Sequence, residues 1–186
     1  DTDGHGTFVA SAAAGGAEVG KRFLGAAPEA SIAMVKLKPA KNYLKEFFAI
    51  AQDAVCYQEN DIMLGLRYLN DLARKQGMPL VICVALGTSF GGHNGDSLLA
   101  DILDIYATVR NRCVVVGTGN EAARRHHYFN RFTDAQDMRT AEIRVGEGTQ
   151  SFAVELWSTL PNIVMVSVTS PSGERTGMIP IRLGYL

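Results

Sequence analysis

The sequence contains no uninterrupted apolar run of the roughly 18 residues that a membrane-spanning helix needs. It also lacks an excess of charge of either sign. Eighteen Lys and Arg stand against 19 Asp and Glu, a net charge of −1. That balance gives no electrostatic case for nucleic acid or an anionic membrane surface as partner. Cysteine is scarce: Cys56, Cys83 and Cys113 are the three, and no two have CxxC spacing. An odd count without that spacing argues against a disulfide framework or a zinc site, and it fits a reducing compartment. Cys83 and Cys113 sit in apolar runs and read as buried small hydrophobes. An initiator methionine and a signal sequence are lacking too, so the sequence reads as an excised segment of a longer protein. No internal repeat or low-complexity tract occurs.

What is present is an ordinary globular composition. The 186 residues are 47% hydrophobic and 20% charged, enough for one sizeable domain or one and a half small ones. Residues 6–19 are rich in Ala, Ser and Gly and predict a tightly packed helix starting near His5. Gly25-Ala26-Ala27-Pro28 breaks it, and Ser31 to Leu37 reads as a strand. Asn60 to Gln76 is the clearest helix, with Ile62, Leu66, Leu69 and Leu72 on one stripe. Asn60 or Asp61 can cap its start, and Gly77 to Pro79 ends it. Leu80 to Leu86 then reads as a strand apolar on both faces, as in a buried parallel sheet. A glycine-rich loop, a helix over Leu98 to Arg110 and a second apolar strand from Cys113 to Val116 complete a parallel crossover unit.

The texture changes after about Asn130. Residues 139–186 show no helical pattern. Glu142 to Val145 and Phe152 to Trp157 alternate polar and apolar, and Ile163 to Thr169 is another strand candidate. Turn signals separate them, as in an antiparallel sandwich or barrel. The expected fold is α/β: a partial parallel sheet with flanking helices over 1–136, then an incomplete antiparallel β unit over 137–186.

Two strings carry chemistry. In Asp3-Gly4-His5-Gly6-Thr7-Phe8-Val9-Ala10-Ser11, glycines flank a histidine at the mouth of a small-residue helix. They leave the imidazole uncrowded, so substrate and nucleophile could both reach it. The bland alternative is a helix-start histidine between turn glycines. The second string is Val115-Val116-Gly117-Thr118-Gly119-Asn120-Glu121. It formally fits a dinucleotide-binding loop, which would make the protein a nucleotide-binding oxidoreductase. That reading requires a helix starting at about Gly119.

The full strings resemble the subtilisin-like serine proteases, peptidase family S8. The first is similar to their His-Gly-Thr-x-Val-Ala signature, and Gly119-Asn120-Glu121 to the strand end with the oxyanion-hole asparagine. Between them, Gly25-Ala26-Ala27-Pro28 and Val84-Ala85-Leu86-Gly87 resemble, in family order, the loop after the histidine helix and the strand end lining the substrate cleft. The resemblance covers roughly residues 1–122. It implies that His5 is the general base, that Asn120 donates to the oxyanion, and that Ala85, Leu86 and Gly87 bind substrate. It implies a protein or peptide substrate and neither cofactor nor metal. The family order places the triad aspartate before residue 1 and the serine beyond residue 186, so prodomain and serine-bearing segments would be partners. Asp1, Asp3 and Ser89 are decoys by this order. His93, Asp101 and Asp104 get surface readings, and His126 and His127, being adjacent, point in different directions and make a poor metal pair.

A finer resemblance is to the clostridial Csp-like germination proteases. It rests on Lys36-Leu37-Lys38-Pro39-Ala40, Tyr57 to Ile62, Ile82 to Thr88 and His126-His127-Tyr128. It implies a bacterial, spore-associated parent with a jelly-roll unit inserted after the asparagine. Because some members of that subgroup have lost triad residues, a regulatory pseudoprotease is the competing reading.

Overall fold

The computed structural model describes residues 3–16 and 23–180. Their elements run in the order α1 (His5–Ala14), α2 (Asn42–Phe47), α3 (Glu59–Gln76), β1 (Leu80–Val84), α4 (Leu98–Thr108), β2 (Arg112–Val116), β3 (Met165–Val166) and β4 (Ile179–Pro180).

The centre is a strand–helix–strand unit. β1 and β2 pair in parallel, from Leu80 opposite Arg112 to Val84 opposite Val116. α3 packs on β1, α4 packs on β2, and the two helices touch each other. Ile82, 2% exposed, lies at the centre with Leu66 and Ala73 of α3. α3 is a strongly amphipathic helix, and Gly77 closes it at φ 64, the left-handed turn that glycine adopts without penalty. Its first residue is Glu59, and the preceding Gln58 makes no side-chain cap. Asn60 and Asp61 therefore lie in the first turn and do not cap it. Asp61 Oδ1 meets Lys38 Nζ at 3.2 Å instead. α4 starts on a true cap: Ser97 Oγ accepts from the Ala100 amide at 3.1 Å.

The expectation that both strands are buried on two faces does not hold. Val81, Cys83, Cys113 and Val115 share the face away from Ile82, and all four are exposed; Val81 is 67% exposed. The described residues supply a helical layer on one face only. Cys83 and Cys113 are thus exposed thiols, not core residues.

Two further expectations are corrected. Ser31 to Leu37 is extended but joins no ladder; among the described residues the parallel sheet consists of β1 and β2. It lies along α3, where a Cβ on Gly65 would come within 3.0 Å of Val35 Cγ1. α1 ends at Ala14, and the remainder of its expected span reaches beyond the described residues at 17–19. It buries none of its residues. The segment after it covers its C-terminal end. The amides of Gly25, Ala26 and Ala27 donate to the carbonyls of Gly15, Ala12 and Ala13 at 2.8, 3.1 and 2.8 Å. These bonds satisfy carbonyls that a helix end otherwise leaves open.

The 39–57 stretch is organised by one lysine. Lys45 of α2 is buried, and its Nζ donates to the carbonyls of Gln52 and Ala54, each at 2.7 Å. A buried ammonium needs such partners. Beyond residue 130, the antiparallel content among the described residues is the β3–β4 pair and one bridge between Thr169 and Arg175. Glu142 to Val145 and Phe152 to Trp157 form no ladder. In the second of these, Glu155 and Trp157 turn to other partners.

Candidate active site

Parallel pairing brings the C-terminal ends of β1 and β2 out side by side. The Gly117 amide still donates to the Val84 carbonyl at 3.3 Å as the strands end. Ala85-Leu86-Gly87 leaves one strand, and Gly117-Thr118-Gly119-Asn120 leaves the other. The two exits stay close: a Cβ on Gly87 would lie 3.8 Å from the Gly119 Cα. Gly119 has φ 81, a left-handed conformation that turns the chain before Asn120. In parallel α/β sheets, ligands bind in the crevice beyond these carboxyl ends.

α1 delivers His5 to the same edge. Gly4 precedes it at φ 80, so the chain enters the helix through a left-handed residue and sets the imidazole at the first helical position. His5 Nε2 lies 3.1 Å from the Ala85 carbonyl oxygen. A carbonyl oxygen can only accept, so Nε2 carries the hydrogen in this arrangement. His5, Ala85, Leu86, Gly87 and Asn120 all belong to this one edge, and the His5 and Asn120 side chains are exposed there.

The loop after Gly87 is tied down by residues distant in sequence. Phe90 packs on Phe48, ring centroids 5.6 Å apart. The Gly91 amide donates to Glu155 Oε2 at 2.8 Å, and Trp157 Nε1 donates to the same oxygen at 3.0 Å. These bonds, that from Gly91 foremost, lower the Glu155 pKa below the ordinary carboxylate value, against a small opposing effect of burial. His93 stacks on His127 at 4.6 Å, and its Nε2 lies 3.1 Å from the Ser89 carbonyl. Sequence reasoning missed this set. Gly91 and Glu155 stand 64 positions apart, and no local pattern links them.

The other sequence candidates fall elsewhere. Ser89 lies in this loop, and His5 bonds to Ala85 rather than to it. Asp1 lies outside the described residues; Asp3 is exposed. His126 Nδ1 meets Glu121 at 3.2 Å while His127 stacks on His93, so the adjacent pair diverges. Asp101 and Asp104 are exposed on α4. Among the described residues no cluster of three or more His, Cys, Asp or Glu is placed to hold a metal. No helix among them is long and apolar enough to cross a membrane. The segment after Gly119 is a loop, which removes the helix that the dinucleotide reading requires. A hollow of about 460 Å³ lies away from this edge, between residues 34–38 and α3. It contains none of the candidate residues.

Comparison with known proteins gives the family. The model of the subtilase family, Peptidase_S8, matches residues 1–176. No curated protein matches the chain. The solved structure of the Clostridium perfringens CspB protease is similar, with a TM-score of 0.72 and 28% sequence identity. The match covers 96% of this chain and 36% of that one, so the chain spans about a third of that protease's length. With the family model matching nearly the whole sequence, the chain belongs to the subtilase family of serine peptidases, as a segment of the Csp type.

Proposed function

We propose that this chain is a segment of a serine endopeptidase that hydrolyses peptide bonds of a protein substrate. His5 is its general base and Asn120 its oxyanion donor. Ala85, Leu86 and Gly87 form the wall along which the substrate backbone lies. The observation that carries this reading is the 3.1 Å approach of His5 Nε2 to the Ala85 carbonyl. It sets the histidine against the segment that would hold substrate.

The chemistry follows from the groups. A serine hydroxyl, supplied by another part of the protease, attacks the scissile carbonyl carbon while His5 Nε2 takes its proton. The carbonyl oxygen becomes negative, and the Asn120 amide donates a hydrogen bond to it. His5 then gives the proton to the departing amine, and water hydrolyses the acyl-serine.

Nε2 must present a lone pair for this, yet it now donates to Ala85. A half-turn of the ring about Cβ–Cγ exchanges the places of Nε2 and Cε1. It leaves a C–H facing Ala85 and frees Nε2. A carboxylate holding Nδ1–H favours the tautomer with Nε2 unprotonated. The triad aspartate thus has a defined task here, to release His5 from Ala85.

The 186-residue chain alone is inactive by this account, having neither that carboxylate nor the nucleophile. The residues from 137 onward begin an inserted jelly-roll unit; the antiparallel β3–β4 pair supports that reading. By analogy with the Csp-like group, the substrate is a germination-related proenzyme in a spore former. The test is labelling with a fluorophosphonate probe, which acylates an activated serine. The complete protease should label, its His5→Ala variant should not, and the 186-residue chain should not. Labelling of the short chain, or of the His5→Ala variant at the wild-type rate, would sink the assignment.

A further inference from the structure

The loop that follows the substrate wall has bonds of its own, such as those from the Phe90 amide to Thr88 Oγ1 and between His93 Nε2 and the Ser89 carbonyl, and it is also held from outside. Ala85-Leu86-Gly87 runs directly into residues 88–96, and that loop is fastened at three points to distant segments. Phe90 rests on Phe48 of the chain after α2. His93 stacks on His127. Gly91 and Trp157 both donate to a single oxygen of Glu155, at 2.8 and 3.0 Å. The indole also backs the loop: a Cβ on Gly92 would lie 3.4 Å from Trp157 Cε3.

The Glu155 fastening differs from the other two. It is polar and directional, and it fixes a backbone amide four residues beyond Gly87. Glu155 and Trp157 come from the β-patterned segment, well outside the strand–helix–strand unit. Their period-two spacing puts both on the same side of an extended chain. One carboxylate oxygen therefore joins the β-patterned segment to the loop bordering the cleft. Charge adds to the fit, since the Glu155 carboxylate feels the neighbouring His93 ring.

We infer that Glu155, with Trp157, is a positioning residue for the cleft: it holds the 88–96 loop in place beside Ala85-Leu86-Gly87 and so governs how substrate side chains are accepted. This rests on the protease reading above. Glu155 takes no part in the bond-breaking steps, so its loss acts on substrate binding and leaves the chemical step alone. Substrates that differ in the side chains reaching the loop should respond unequally, whereas a general loss of fold would weaken all alike.

The experiment uses the complete protease as wild type, Glu155→Ala, Glu155→Gln and Trp157→Phe. Hydrogen exchange over residues 88–96 reads the fastening, and KM and kcat on a panel of peptides read its consequence. Glu155→Ala should speed exchange of the loop about 3- to 10-fold, the effect of one or two lost hydrogen bonds at an exposed place. It should raise KM by a similar factor, unequally across the panel, with kcat within about twofold. Glu155→Gln, which keeps an acceptor oxygen for Gly91, should recover part of both effects. Trp157→Phe removes one donor and should fall between wild type and Glu155→Ala.

Unchanged exchange and KM in Glu155→Ala overturn the inference while the protease reading stands. So does a uniform fall in kcat that tracks a lowered melting temperature. A wild-type enzyme that takes no fluorophosphonate overturns the protease reading itself, and the role in the cleft with it.

Discussion

His5 Nε2 and the carbonyl oxygen of Ala85 lie 3.1 Å apart, although 80 positions separate them in the chain. Nothing local produces this pairing. It exists because α1 opens at the same edge where β1 ends. That edge makes the first prediction. In the complete protease, His5→Ala should lower kcat by at least about 10²–10⁴, the usual share of a general acid–base group. Asn120→Ala should cost about 10²–10³, a magnitude carried over from subtilisin itself. Steady-state hydrolysis of a fluorogenic peptide checks both. If Asn120→Ala retains wild-type kcat, the oxyanion role belongs to another group.

Much of this edge was legible in the sequence because it is built from short, self-contained signals. Glycines flank His5, an apolar run from Leu80 reaches Leu86, and another ends at Val116. The parallel unit followed from the rhythm of strand, helix and strand. What stayed hidden depends on neighbours. Ser31 to Leu37 has a strand's composition, but composition does not supply a hydrogen-bonding partner. Cys83 and Cys113 sit in runs that a two-sided sheet would bury, yet the described residues leave one face without a covering layer. Glu155 was invisible for the same reason as His5–Ala85: a contact across 64 positions leaves no trace in local periodicity.

The contact between Gly25 and the end of α1 gives a stability prediction. A Cβ at position 25 would sit 2.4 Å from Gly15 N and 2.8 Å from Ser11 O, both backbone atoms. Neither can rotate away, so the loop must lift off and lose its bonds to the carbonyls of Gly15, Ala12 and Ala13. Gly25→Ala should cost about 1–3 kcal/mol, the usual penalty of forcing atoms into a filled place. Urea denaturation followed by circular dichroism measures it. A midpoint matching wild type would show that the Gly25 contact is not needed.

Acid should release the Glu155 fastening, at a pH lower than an ordinary carboxylate would suggest. The pKa of Glu155 is lowered from 4.5, first by the Gly91 amide and then by the Trp157 indole. The ionised form is the one held, so the contribution is complete above pH 4.5. It is lost as pH falls through the lowered value. Trp157 is the single tryptophan, so its fluorescence reports on this contact directly. The emission change should centre below pH 4.5 and vanish in Glu155→Gln. A midpoint at or above 4.5 would contradict the two-donor geometry. Asp137 follows the same sign. The Thr133 amide, opposed by burial and helped by the Thr133 hydroxyl and Arg139, lowers its pKa from 3.8. The turn over residues 133–139 should therefore persist below pH 3.8.

The open face of the parallel pair makes the last prediction, and it separates the segment from its parent. Val81, Cys83, Cys113 and Val115 form one exposed stripe across β1 and β2. Parallel sheets are normally covered on both faces, because their crossover helices lie on each side. In the 186-residue chain, Cys83 and Cys113 should react readily with a disulfide reagent such as dithionitrobenzoate, ahead of the half-buried Cys56. In the complete protease, a second layer over this face should slow both thiols by at least about tenfold, since a buried apolar thiol is inert. Equal and rapid reaction in the two proteins would mean that the face stays open in the parent. The sheet would then be one-sided in the parent as well.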